Sequence, residues 1–184
     1  MAGAEAGAVE RAVVLCGFMG VGKSSIGKRL ARTLHRDFVD SDELVVAQLG
    51  RSIPALFDAG EEERFRAAEA EVIAEVVHRR PPVVLALGGG ALGNVTTREL
   101  LLAEALLVHL DQPFEELAPA LPSLRIGRPL LARRSEDEIR ELFEERRALY
   151  AVAPISVRVA RHGVAAAAAE VLAALGASGA PPVA

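Results

Sequence analysis

Residues 17–25 read GFMGVGKSS, and within them Gly17, Gly22, Lys23 and Ser24 complete the spacing G-x-x-x-x-G-K-[ST]. Such a turn works only at a junction. A strand must deliver the chain into it and a helix must leave it, so that backbone N–H groups and a helix N-terminus converge on one anion. Both neighbours are present. AVVLCGF at 12–18 is apolar at nearly every position, as a strand covered on both faces must be. KSSIGKRLARTL, beginning at Lys23, spaces its apolar residues along one helical face. Gly17 and Gly22 permit the tight wrap, Gly20 adds freedom within it, and Val21 and Ser25 complete the run that would surround the phosphates. Lys23 would bridge the β- and γ-phosphates of a bound nucleotide, and the Ser24 hydroxyl would ligate Mg²⁺.

The same rhythm continues through the chain. Short apolar runs at 37–42 (DFVDSD), 83–88 (VVLALG), 106–111 (LLVHLD) and 155–159 (ISVRV) alternate with helical patterns, among them EEERFRAAEAEVIAEVVHRR with Phe65, Ala68, Val72 and Val76 on one side. This predicts an α/β domain of the three-layer P-loop NTPase type: a central parallel sheet of about five strands with helices on both faces. Residues 1–184 read as a single domain with loose ends at about 1–10 and 177–184, the last helix, GVAAAAAEVLAALG, being stopped by Gly176. The segment 118–137 breaks the rhythm, with prolines at 119, 122 and 129 among several arginines. It reads as a loop, with a mobile lid at about 119–134.

Composition excludes several alternatives. With 184 residues, 51% hydrophobic and 25% charged, the chain can bury one core and needs no partner to fold. A net charge of −4 provides no general field for nucleic acid or anionic lipid. No apolar run approaches the roughly 20 residues of a membrane span. Glu5 and Glu10 stand where a secretory signal would be basic and then apolar, so no membrane and a cytoplasmic location are expected. Cys16 reads as a buried strand residue, and His35, His78, His109 and His162 lack the close spacing of metal ligands. Mg²⁺ is expected to arrive with the nucleotide.

Two further stretches carry chemistry. In FVDSD, Asp40 and Asp42 lie two residues apart at a strand end, which would aim both carboxylates at the rim where open α/β sheets bind ligands. A carboxylate there can hold Mg²⁺ through water or accept a proton from an attacking hydroxyl, although such a pair also serves as a helix cap. LGGGAL at 87–92 follows the third strand, where Gly88, Gly89 and Gly90 let backbone approach a ligand closely and offer N–H donors. No N-K-x-D stretch of the kind used by guanine-specific switches is present.

The order G-x-x-x-x-G-K-S, D-S-D, SIPALFDAGEEERFRAAE, G-G-G-A, GRPLL, ERRALY, spread over about residues 12–160, resembles the shikimate kinases, of the nucleoside-monophosphate-kinase group. The resemblance implies that Asp42 orients the acceptor hydroxyl, Asp40 is associated with the metal, and Arg66 and Arg146 bind the acceptor carboxylate. It further implies that Phe57 and Phe65 wall the ring, Glu69 sits at the pocket base, Gly88 to Gly90 face the acceptor, and Arg128 in the lid acts in catalysis and on ATP. An arginine fork suits a carboxylate bidentately, as lysine does not. Arg66 could also pair with Glu62 or Glu69 on an exposed helix face, and Arg146 lies in EERRA, where surface pairing is open to it.

The implied activity is transfer of the γ-phosphoryl group of ATP to the 3-hydroxyl of shikimate, in aromatic amino acid biosynthesis, with Mg²⁺; a single compact domain with a moving lid makes a monomer the simpler expectation. Leu121 occupies a position where the family often has an arginine near the nucleotide, and Ala148 one where it often has proline. Arg125 or Arg161 could take over the nucleotide contact. Two rival readings keep the fold: a kinase for a related cyclitol or polyol, and a nucleotide-binding sensor without efficient catalysis.

Overall fold

A computed structural model describes residues 10–126, 129–159 and 163–178. The lid arginine Arg128, the candidate nucleotide contact Arg161 and His162 lie outside the described residues. The chain runs β1 (Val13–Cys16), α1 (Lys23–Leu34), β2 (Phe38–Asp40), α2 (Ser41–Leu49), α3 (Ile53–Asp58), α4 (Glu62–Val77), β3 (Val84–Ala86) and α5 (Val95–Glu104). It continues through β4 (Leu106–Asp111), α6 (Phe114–Leu117), α7 (Leu121–Leu124), α8 (Pro129–Ala132), α9 (Glu136–Tyr150), β5 (Ile155–Arg158) and α10 (Val164–Ser178).

The described strands form one parallel sheet in the order β2-β3-β1-β4-β5. β1 is central, and its residues alternate between two apolar layers. Val14 and Cys16 face one with Leu85, Leu107, Ile73 and Phe143, while Val13 and Leu15 face the other with Val84, Val108, Leu30 and Val171. Helices α4 and α9 therefore cover one face and α1 and α10 the other, as the near-continuous apolar character of the strands requires. Each fully buried Leu or Ile in these layers contributes about 1.5–3 kcal/mol of transfer free energy. All parallel strands end on the same edge, and the order reverses beside β1. The turns after β1, β2, β3 and β4 therefore open onto one rim.

Three local expectations are corrected. β2 ends at Asp40, which caps α2 by accepting the Asp42 amide at 3.1 Å; Asp42 is thus in the first helical turn, not in the strand. Residues 118–124 are helical and packed, with Leu121 and Leu124 buried, because their prolines fall at first-turn positions where the missing N–H costs nothing. Helix α10 passes Gly176 and runs to Ser178. No described helix is long and apolar enough to cross a membrane.

Candidate active site

The turn between β1 and α1 forms the first half of the site. Gly17, Gly20 and Gly22 have φ of 148°, 89° and 96°, values that L side chains rarely adopt, so this wrap needs glycine for its backbone. Gly22 caps α1 without any side-chain hydrogen bond, and the first turn holds no acidic residue, which leaves the helix N-terminus available to an anion. Lys23 folds back into the loop, where Nζ donates to the carbonyls of Gly17 (2.8 Å) and Phe18 (3.0 Å). Burial lowers its pKa to about 8 against the opposing charges of Asp42 and Asp40. Val21 is buried, with Cγ1 packed close to Gly17, and Ser25 is exposed on α1.

The Ser24 hydroxyl donates to Asp40 Oδ2 at 2.8 Å. Two hard oxygen donors therefore meet beside the phosphate turn, a donor set that fits Mg²⁺ with the remaining positions left to water and phosphate. Between the two aspartates, Ser41 is fully buried and its Oγ accepts the buried Gly88 amide at 2.8 Å, tying the start of α2 to the exit of β3. Ser41→Ala leaves that N–H unsatisfied and should cost about 1–3 kcal/mol of stability, read by chemical denaturation.

Next to the turn lies a cavity of about 340 Å³. Its charged lining is Asp42, Arg66, Glu69 and Arg146, with Gly89 and Gly90 at the sheet edge. Its apolar wall is Met19, Ile53, Phe57, Phe65, Ile126 and Leu130. Phe57 and Phe65 meet edge to face at 5.6 Å, which stiffens that wall.

The two arginines reach the cavity from different helices. Arg66, on α4, donates from Nη1 to Glu69 Oε2 at 2.7 Å and lies 3.5 Å from Glu62, with its guanidinium 5.0 Å from the Phe65 ring centre. The pairings open to it on sequence both exist, but Glu69 is buried (2% exposed) at the cavity base rather than on a solvated face. Burial raises the Glu69 pKa, opposed by the Arg66 charge and hydrogen bond and reinforced by Asp42. Glu69 Oε1 has no hydrogen-bond partner among the described residues. Arg146 projects from α9 toward Tyr150, with which it shares a hydrogen bond, and burial lowers its pKa. Surface pairing falls instead to its neighbour Arg147, with Asp111 at 3.4 Å.

Most sequence-predicted residues are thus brought to one rim. Gly88 is set behind the cavity wall with its N–H given to Ser41, so it has no donor left to offer there. Arg125 donates from Nη2 to the Arg134 carbonyl at 3.0 Å, joining the two ends of the segment that carries Ile126 and Leu130. Sequence reasoning missed Ser41, Tyr150 and the apolar residues Met19, Ile53, Ile126 and Leu130. Tyr150 lay within the ERRALY motif, whereas Met19 occupies an unconstrained position of the phosphate turn.

A family model described as shikimate kinase matches residues 19–176. The shikimate kinase of Bacillus subtilis is 39% identical over 141 residues, 77% of this chain and 76% of that one. That of Caulobacter vibrioides is 43% identical over 150 residues, 80% of this chain and 73% of the relative. Among solved structures, shikimate kinase from Acinetobacter baumannii in complex with shikimate superimposes with a TM-score of 0.84 at 31% identity, covering 94% of this chain and 97% of that one.

Proposed function

The chain belongs to the shikimate kinase family, and on that premise we propose that it transfers the γ-phosphoryl group of ATP to the 3-hydroxyl of shikimate, giving shikimate 3-phosphate and ADP. The observation that carries the proposal is the convergence of two guanidinium groups and one carboxylate, Arg66, Arg146 and Asp42, on one cavity beside the phosphate turn. A small carboxylated polyol needs that set: a cationic fork at each side of its carboxylate and an acceptor for the proton of the attacking hydroxyl.

Arg66 and Arg146 hold the carboxylate, and Phe57 and Phe65 flank the ring. Asp42 orients the hydroxyl and takes its proton as the bond to phosphorus forms. Lys23 exchanges the Gly17 and Phe18 carbonyls for phosphate oxygens, and the uncapped N-terminus of α1 adds its N–H groups. Ser24 and, through water, Asp40 would hold Mg²⁺, which would supply charge neutralisation at the phosphates. Arg128, outside the described residues, keeps the catalytic and ATP-binding role that the resemblance implies. The lid, expected at about 119–134, contributes Ile126 and Leu130 to the cavity wall. Its closure excludes water and suppresses ATP hydrolysis. Every residue in this scheme comes from one chain, which suits a monomer.

Coupled ADP release with shikimate, quinate, gluconate and nucleoside monophosphates tests the assignment. The expected result is turnover with shikimate far above the others. Robust turnover only with another acceptor would overturn it.

A further inference from the structure

Two glycine runs border the site, for different physical reasons. The run at 17–22 has positive φ, whereas none of Gly88, Gly89 and Gly90 does, and Gly90 sits at −106°, open to any residue. Backbone conformation therefore does not call for glycine at 88–90. Open space for a ligand does not either, because protein atoms already fill the volume each Cβ would take. At Gly88 that Cβ would overlap Glu69 Oε1 and stand 2.5 Å from Asp42 Oδ1. At Gly89 it would stand 2.8 Å from Arg146 Nη1. At Gly90 it would stand 2.7, 2.8 and 2.9 Å from Nη1, Nη2 and Cζ of Arg66.

We propose that Gly88, Gly89 and Gly90 are positioning residues, one for each charged group of the acceptor site: Gly88 makes room for the Asp42 and Glu69 carboxylates, Gly89 for Arg146 and Gly90 for Arg66. The turn after β3 is a mould whose missing side chains set where the charges stand. This rests on the reading of Asp42, Arg66 and Arg146 as acceptor groups and extends it to what holds them in register. The mould itself is anchored. Gly88 N–H donates to buried Ser41 at 2.8 Å, and the buried Tyr150 hydroxyl donates to the Gly89 carbonyl at 2.6 Å. When a methyl group is added, the side-chain ends yield rather than the backbone. Moving the end of a flexible side chain costs the fold little, but misplacing a binding fork by a fraction of an ångström costs catalysis much more.

The test crosses Gly89→Ala and Gly90→Ala with Arg66→Ala and Arg146→Ala, and measures kcat, KM for shikimate, KM for ATP and Tm, with Gly88→Ala measured alone. Gly89→Ala and Gly90→Ala should raise the shikimate KM about 10- to 100-fold, with kcat within about threefold and the ATP KM within about twofold, while Tm is retained. Gly88→Ala should instead lower kcat about 10- to 100-fold. In the crosses, Gly90→Ala should change kcat/KM of Arg66→Ala by less than about twofold yet lower that of Arg146→Ala about tenfold or more, and Gly89→Ala should show the reverse pairing. An equal cost of Gly90→Ala with and without Arg66 would overturn the proposal, since the glycine would then serve approach of the acceptor to backbone. So would a uniform loss of kcat, affinity and Tm. If an alanine variant fails to fold, rescue by truncating its own arginine, with Glu69→Gln added where that arginine is Arg66, supports the pairing and failure of rescue refutes it. A wild-type chain inactive on shikimate defeats the functional reading alone, and the crosses are then read on whichever acceptor is turned over.

Discussion

Asp42→Asn should lower kcat for shikimate phosphorylation about 10²- to 10⁴-fold, with the KM values for shikimate and ATP within about threefold of wild type. The amide keeps the size and hydrogen-bonding reach of the carboxylate but cannot take a proton, so the loss falls on the chemical step. The placement of Asp42 favours this role. It sits in the first turn of α2, where a negative charge suits the helix dipole, and its carboxylate lies against Gly88 at the cavity wall. Asp40 does not duplicate it, since that carboxylate is committed to the Ser24 hydroxyl and to capping α2. Steady-state kinetics at saturating ATP decide the matter. A fall in affinity with kcat unchanged would make Asp42 a binding group only.

Arg66→Met should raise the shikimate KM about 10²-fold or more and also destabilise the protein at neutral pH. Both effects come from one guanidinium. It would grip the acceptor carboxylate while it neutralises Glu69, which is buried at the cavity base and forms its ion pair with that arginine. Removing one member of a buried pair costs about 3–5 kcal/mol because the other is left charged in a poor solvent. The pH dependence has a definite sign. Burial raises the Glu69 pKa above its ordinary 4.5, so the folded chain holds this proton more tightly than the unfolded chain. The associated stability is fully present below pH 4.5 and is lost as pH rises through the folded value. Without Arg66 that folded value rises further, so the deficit should deepen toward neutral pH and shrink toward pH 4.5. Adding Glu69→Gln should recover stability without recovering the KM. Denaturation at several pH values, paired with kinetics, separates the two effects.

The phosphate turn, the five strands and the two helices beside β1 were legible because hydrophobic period and glycine spacing act locally. So was the placement of Arg66, Glu69, Asp42 and Arg146 around one cavity, through the resemblance. The end of β2 was less legible. Asp40 competes as strand residue and helix cap, and the acidic Asp42 and Glu43 after it favour the cap. Pro119 and Pro122 read as breakers, yet each occupies a first-turn position of a short helix, and Leu121 and Leu124 between and beyond them are buried; Leu124 closes over Gly20 of the phosphate turn. Gly176 reads as a stop but is only a cost of about 1 kcal/mol, too little to end an alanine-rich helix whose Val171 and Leu175 are buried. What spacing cannot reveal is why a glycine is a glycine. The run at 17–22 is required by its own backbone, with Leu110 and Leu124 also close on Gly17 and Gly20, whereas that at 88–90 serves its neighbours' side chains alone, a difference visible only when the chain is folded.

The most direct test of the account is a crystal structure of the protein with shikimate and a non-hydrolysable ATP analogue. The shikimate carboxylate is expected within about 3 Å of both the Arg66 and Arg146 guanidinium groups, with the 3-hydroxyl at hydrogen-bond distance from Asp42 and turned toward the γ-phosphate. A carboxylate bound away from these arginines, or a different hydroxyl presented to Asp42, would contradict it.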